Sequence, residues 1–452
     1  MATGDVEAQL RVPGGTGGLP AQALKDDEMF PVLLSGPKGE VWRLWQRRGD
    51  QKGTGGAVIL AQWAAPDRWQ PLLEIRSADK GITIRDPELA VSPSNELALV
   101  YRWWRDNPRA KQVRIARSDD GGKTWAQPAT PIDAAGKAFD PRIEWAGRKS
   151  LVVVWSDERR GNKLFDIYSR RSADGGATWE PEQLLSRFPD IAQNDVFARP
   201  EMIGDGQGRL WAVWVGVKSG RSSLYMNRST DGGKTWTDPA PLTGDSRSVF
   251  GRTLLRAGDR MLLVWNDTRT ERDRLYSVSS SDAGVTWTSP VRVDHLPDDA
   301  KAEPAAPTAL LGTDGEALVA WQDARNSRDD IFLARSTDGG RTWGKSDQRM
   351  DTDEAGTAVS RYPRLARAKD GRVALAWEDD RDGFEGIYVR VRSADDKREW
   401  GPEIRVASPT GKLASHLPRL LWGPDGMLFV AWEVWDNTLA PASVVKHVES
   451  KA

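Results

Sequence analysis

The stretch SADGGATW at 172–179 decides the fold, as one instance of the pattern Ser-x-Asp-x-Gly-x-Thr-Trp. Four more intact copies stand at 118–125 (SDDGGKTW), 229–236 (STDGGKTW), 280–287 (SSDAGVTW) and 336–343 (STDGGRTW). A degenerate copy, SADDKREW, occupies 393–400, and Trp69 in DRWQPLLEI marks the place of another. Each residue type suits a tight turn. Ser and Asp oxygens accept hydrogen bonds from the turn's own N–H groups. Gly adopts a backbone angle closed to side chains with a Cβ. The closing Trp offers a broad apolar surface to a neighbouring unit.

The box tryptophans, Trp69, Trp125, Trp179, Trp236, Trp287, Trp343 and Trp400, recur every 51 to 57 residues. Inside one period the third unit reads DPRIEWAG (140–147), LVVVWSDERR (151–160), FDIYSRRS (165–172), the box, and EPEQLLS (180–186). Short runs rich in Val, Ile, Leu, Trp and Tyr, divided by Gly, Asp and Arg turns, read as strands. They are labelled A to D, with the box between C and D. Four strands per repeated period predict an all-β chain folded as a β-propeller of four-stranded blades. A single domain over 1–452 with eight blades is expected: seven complete units over 29–408, then strands A to C of an eighth over 417–450. VEAQLRV at 6–12 is expected to add strand D of the eighth blade and close the ring, with 13–28 as a linker. Seven blades and an extension are the alternative.

Composition narrows the function classes. Among 452 residues, 64 are Lys or Arg and 65 are Asp or Glu, for a net charge of −1 with no block of one sign. That argues against nucleic acid or an anionic membrane surface as partner. Cysteine is absent and only three His are present, so disulfides, thiolate chemistry and a His-rich metal site are not expected. No apolar run reaches membrane-span length, and no cofactor is indicated. Residues 1–30 show no signal-peptide apolar segment.

Two further repeats matter. A Trp ends strand B at Trp45, Trp155, Trp214, Trp265, Trp321, Trp377 and Trp432, and this register predicts packing between blades. WSDER (155–159), WNDTR (265–269), WQDAR (321–325) and WEDDR (377–381) share Trp-x-Asp-x-Arg, which predicts salt bridges between adjacent blades. Units 8, 1, 2 and 4 depart from that pattern. Trp103, Trp104 and Arg105 in unit 2 fall outside the register and are candidate ligand contacts. The D–A connections reach the same face as the B–C loops and carry Arg85, Asp140, Arg199, Arg252, Glu303, Arg361, Tyr362 and His416. Arginines beside acids, one Tyr and one His suit an anionic ligand.

The box repeat resembles the Asp-box, or BNR repeat, of the sialidase-like β-propellers over nearly the whole chain. The resemblance implies an exported protein whose loop face meets a glycan or protein ligand. It also implies, for a glycosidase of this type, an arginine trio on the substrate carboxylate, read here as Arg199, Arg252 and Arg361. Tyr362 would be the nucleophile, Glu303 its base and Asp140 the general acid. The family's Phe-Arg-Ile-Pro motif has no counterpart in MFPVLL (29–34). The expectation is therefore a ligand-binding propeller without catalysis. A sialidase-type exo-glycosidase and a structural assembly scaffold are the alternatives.

Overall fold

The computed structural model describes residues 22–23, 28–47, 56–65, 68–77, 79, 81–127, 131–161, 165–187, 199–244, 246–395, 399–407, 413–436 and 443–451. Every regular element in them is a strand. The strands form eight antiparallel sheets in chain order, blades 1 to 8, over 28–76, 82–118, 138–184, 201–241, 249–292, 305–349, 360–407 and 413–451. Seven have four strands. Blade 2 has three, and a single bridge from Arg117 to Ala126 stands where its fourth would run.

The innermost strands A pack on one another from blade 2 round to blade 8. Strand A of blade 8 (Leu413–Trp422) packs on that of blade 1 (Glu28–Ser35), and strand A of blade 2 meets strands B and C of blade 1. Gln22–Ala23 adds to the outside of blade 8, with Gln22 opposite His447 and Ala23 opposite Lys446. The expected closing strand, 6–12, lies outside the described residues. Part of the stretch expected as linker is thus a strand, since an exposed edge accepts any extended backbone whatever its side chains.

Apolar layers lie between blades, as the Trp register predicts. Trp321 of blade 6 packs on Leu262 and Val264 of blade 5, and Trp377 of blade 7 on Leu318 and Ala320 of blade 6. Both indoles are fully buried. Each intact box fastens to the preceding blade. In the box at 336–343 the Ser336 hydroxyl donates to Asp338 Oδ1 (2.7 Å), and Asp338 accepts from Thr342 N–H (3.0 Å) and Thr342 Oγ1 (2.6 Å). Trp343 Nε1 donates to Ser277 Oγ of blade 5 (2.9 Å). Gly340 is required there: its φ is +86°, and a Cβ would stand 2.5 Å from Leu262 Cδ1.

Candidate functional site

The axial face is built by one repeated irregularity. Strand A is bulged against strand B in blades 1, 2, 3, 5, 6, 7 and 8. In five of these blades the residue before a proline has positive φ: Asp86 (53°), Asp140 (46°), Ala306 (50°), Tyr362 (51°) and Leu417 (53°). Gly251 (55°) takes the place in blade 5. A bulge leaves one backbone position outside the ladder, and proline, which lacks an N–H, tolerates it. The left-handed turn costs conformational energy and re-aims one side chain per blade at the D–A end.

Blades 2 to 5 bring together most of the predicted arginines. Arg102 Nη2 lies 2.7 Å from Asp86 Oδ2, and Arg199 Nε lies 3.6 Å from Asp140 Oδ1. Arg142 Nη1 reaches Glu88 Oε2 at 3.7 Å, and Arg252 Nε reaches Glu201 Oε1 at 3.8 Å. Arg142, Arg199, Glu201, Phe250, Gly251 and Arg252 line one cavity of about 260 Å³. Two aromatic rings sit under Arg85 and Arg102 of blade 2. Arg85 and Arg102 stand 5.1 Å and 5.9 Å over the Trp104 ring, and Arg102 stands 5.3 Å over Phe139. Burial pushes the Asp140 carboxyl up, opposed by Arg199 and reinforced by Asp86. Burial likewise raises Glu88 and Glu201 and lowers Arg252. Glu144 is pushed to about 8 by burial and by the neighbouring Glu88.

The other predicted residues sit elsewhere on this face. Tyr362 and Arg361 belong to blade 7: Arg361 Nε donates to Asp329 (2.8 Å), while the Tyr362 N–H donates to Gln322 Oε1 (2.8 Å) and the residue is 37% exposed. His416 of blade 8 lies 3.4 Å from Glu378 Oε2. Burial pulls its imidazole down, but the hydrogen bond and charge of Glu378 outweigh this and raise it. Glu303 pairs with Arg272 at 3.7 Å. Thus Asp140, Arg199, Arg252 and Arg85 share one neighbourhood, and Tyr362, Arg361 and His416 share another. Trp103 is packed between Arg114 and Arg105, 4.6 Å and 5.4 Å away, and Arg105 Nε donates to Pro108 O (3.4 Å). Glu88, Arg142, Glu201, Arg364 and Arg419 were missed. All stand directly after a proline, visible in sequence as DPE, DPR, RPE, YPR and LPR, although no bulge stands among the described residues of blade 4.

The Trp-x-Asp-x-Arg repeat is an ionic clamp within a blade rather than a bridge between blades. In blade 6, Arg325 grips Asp323 with Nε (2.9 Å) and Nη2 (2.7 Å), and Trp321 Nε1 donates to Asp323 Oδ2 (2.8 Å). The guanidinium lies 3.8 Å over Phe332 of strand C, and its remaining nitrogen reaches Asp347 (2.9 Å). Blades 3 and 7 repeat the arginine grip with Arg159 and Glu182, and Arg381 and Glu403. Strand C bonds to strand B of the same sheet, so an aromatic there captures the Arg before a neighbouring blade can.

Comparison with known proteins agrees with this architecture. The BNR repeat-like domain matches residues 39–305 and 142–375. The sialidase of Micromonospora viridifaciens is 25% identical over 375 residues, 72% of this chain and 55% of that protein. The xyloglucanase Xgh74A of Acetivibrio thermocellus is 23% identical over 324 residues, 64% of this chain and 35% of its own length. The chain therefore spans about half of the one relative and a third of the other. Among solved structures, the polysaccharide lyase Uly1 superposes with a TM-score of 0.51 at 9% identity, covering 96% of this chain and all of that one, a likeness of fold. With the boxes, the blades and the matched residues in register, this chain belongs to the BNR repeat-like family of sialidase-like β-propellers.

Proposed function

We propose that this propeller binds an acidic carbohydrate at the mouth formed by blades 2 to 5, without cleaving it. The observation that carries the reading is the convergence of Arg142, Arg199 and Arg252, from three consecutive blades, on one cavity with a single acid, Glu201, in its lining. A guanidinium fork matches a carboxylate bidentately, and partial burial strengthens the contact by displacing water. Phe250 in the cavity lining gives an apolar face on which a sugar ring stacks. Arg199 is the most accessible of the three, with 59% of its side chain exposed, and makes the first contact. Such ligands are displayed outside the cytoplasm, and export is part of the reading; fractionation of the producing cell tests it.

Calorimetry with sialylated and uronic-acid oligosaccharides, each beside its neutral counterpart, tests the function. Acidic ligands bind at least about tenfold tighter, and Arg199→Ala removes that preference, a loss of about 1.4 kcal/mol or more. Equal affinity for charged and neutral ligands sinks the proposal. A hydrolytic reading is favoured only at its acid, by the burial-raised carboxyl of Asp140, because Tyr362 and Glu303 stand on other blades. Turnover of a fluorogenic sialoside that collapses in Asp140→Asn and Tyr362→Phe would establish it in place of simple binding.

A further inference from the structure

On the opposite arc of the ring, blades 7 and 8 place two arginines side by side. Arg364 and Arg419 occupy the same register position of adjacent innermost strands, Ser360–Arg367 and Leu413–Trp422, which pack on each other. Both follow the bulge by two residues, in Tyr362-Pro363-Arg364 and Leu417-Pro418-Arg419. The same position in blades 2, 3 and 4 holds Glu88, Arg142 and Glu201, so Arg142 has an acid on either side. Blades 7 and 8 have no such alternation.

Among the described residues neither guanidinium forms an ion pair within 4.0 Å. Arg364 Nη1 donates to Pro363 O (2.8 Å), and Arg419 Nη1 donates to Pro418 O (3.0 Å) and Leu417 O (3.4 Å). These carbonyls fix the forks and leave the Nε and Nη2 edges without a protein acceptor among the described residues. The nearest acid to act on Arg364, Glu378, already accepts from the Leu417 N–H (2.9 Å) and pairs with His416. Glu433 acts on Arg419 from strand B without contact. Burial and the charge of Arg419 lower Arg364 to about 10. Two partly desolvated cations held side by side, with free donor edges, lack one component: an acceptor carrying negative charge on several oxygens.

We propose that Arg364 and Arg419 together hold an oxyanion, sulfate or phosphate in free or ester form, on the axial wall between blades 7 and 8. The site is separate from the mouth at blades 2 to 5 and stands whether or not that mouth binds acidic sugars. A tetrahedral oxyanion offers each fork a pair of oxygens and cancels the repulsion between them.

The test is thermal unfolding in sodium sulfate against sodium chloride at matched ionic strength. Glucose 6-sulfate beside glucose forms the second arm. Sulfate is expected to raise Tm by about 2–4 °C beyond chloride, as mass action on a folded-state site requires. The pair Arg364→Met with Arg419→Met abolishes the sulfate-specific shift, and Arg364→Lys, which keeps the charge and loses the fork, reduces it. Arg199→Ala retains it. If the pair does not fold, the single Arg364→Gln carries the same expectation. Protection by the sugar ester at tenfold lower concentration identifies a sulfated saccharide as the source, and equal potency identifies the free anion. An identical response to sulfate and chloride, a shift that survives the double substitution, or one that disappears with Arg199→Ala overturns the proposal.

Discussion

The clamp arginines and the axial arginines are the same residue type on the same face, and they are treated oppositely. Arg159, Arg269, Arg325 and Arg381 each grip an Asp two residues upstream and lie 3.8 to 4.4 Å over an aromatic ring. Their donors are spent on protein acceptors, mostly within the blade, with Arg269 also donating to Thr243 O (2.8 Å) just past blade 4. Arg364 and Arg419 instead face the axis with only carbonyl acceptors among the described residues, and burial pulls both below the ordinary arginine range. The difference teaches where recognition is available. A side chain whose hydrogen bonds are complete holds the scaffold, and one whose charge is left over holds a ligand.

The largest expected effect breaks a clamp. Asp323 is fully buried, so Asp323→Ala leaves Arg325 without its fork partner and Trp321 without its acceptor. A loss of about 3–5 kcal/mol in denaturant unfolding is expected, with carbohydrate affinity unchanged in the folded fraction. A loss below about 1 kcal/mol would erase the distinction between clamp and axis.

The next effect sharpens the axial side through pH. Glu144 ordinarily titrates at 4.5 and is pushed to about 8 in the fold, so the folded chain holds a proton that the unfolded chain releases. Its contribution is therefore most favourable at low pH and is lost as pH rises from 4.5 through 8. Glu144→Gln should remove that fall. Relative to wild type it gains about 2–4 kcal/mol between pH 5 and pH 9 in parallel urea titrations. A variant that tracks wild type across this range would mean that Glu144 is hydrated.

The smallest effect comes from His416. Its folded-state imidazole is raised by Glu378, so the stabilisation is complete below the ordinary His value of 6.5 and is lost as pH climbs through the raised value. His416→Gln should cost about 1 kcal/mol at pH 6 and progressively less in alkaline buffer. A cost independent of pH would assign His416 a packing role only.

The scaffold was legible because its signals are local. Ser-x-Asp-x-Gly-x-Thr-Trp fixes a turn through bonds inside eight residues, and the Trp of strand B marks a packing layer by repetition alone. The clamp was legible as a motif but not as a geometry, since its direction depends on Tyr168, Tyr276, Phe332 and Tyr388 on the next strand. The axial wall was harder to read. A residue before proline is normally extended, so nothing announced that Asp140 or Tyr362 would adopt positive φ. The charge balance at Glu88, Arg142, Glu201, Arg364 and Arg419 arises only once blades stand side by side. Gln22–Ala23 carries no strand pattern and was hidden for that reason.

The join between the first and last blades bears on how this protein is made. Val41 and Trp63 of blade 1 are covered by Met427, Phe429 and Leu421 of blade 8, and the Trp63 and Phe429 rings meet edge to face at 5.2 Å. A ribosome delivers the first of these surfaces long before the second. The nascent chain must keep an apolar flank open until residues 413–436 emerge, which makes that flank the place where a chaperone would wait and where premature termination would end in aggregation.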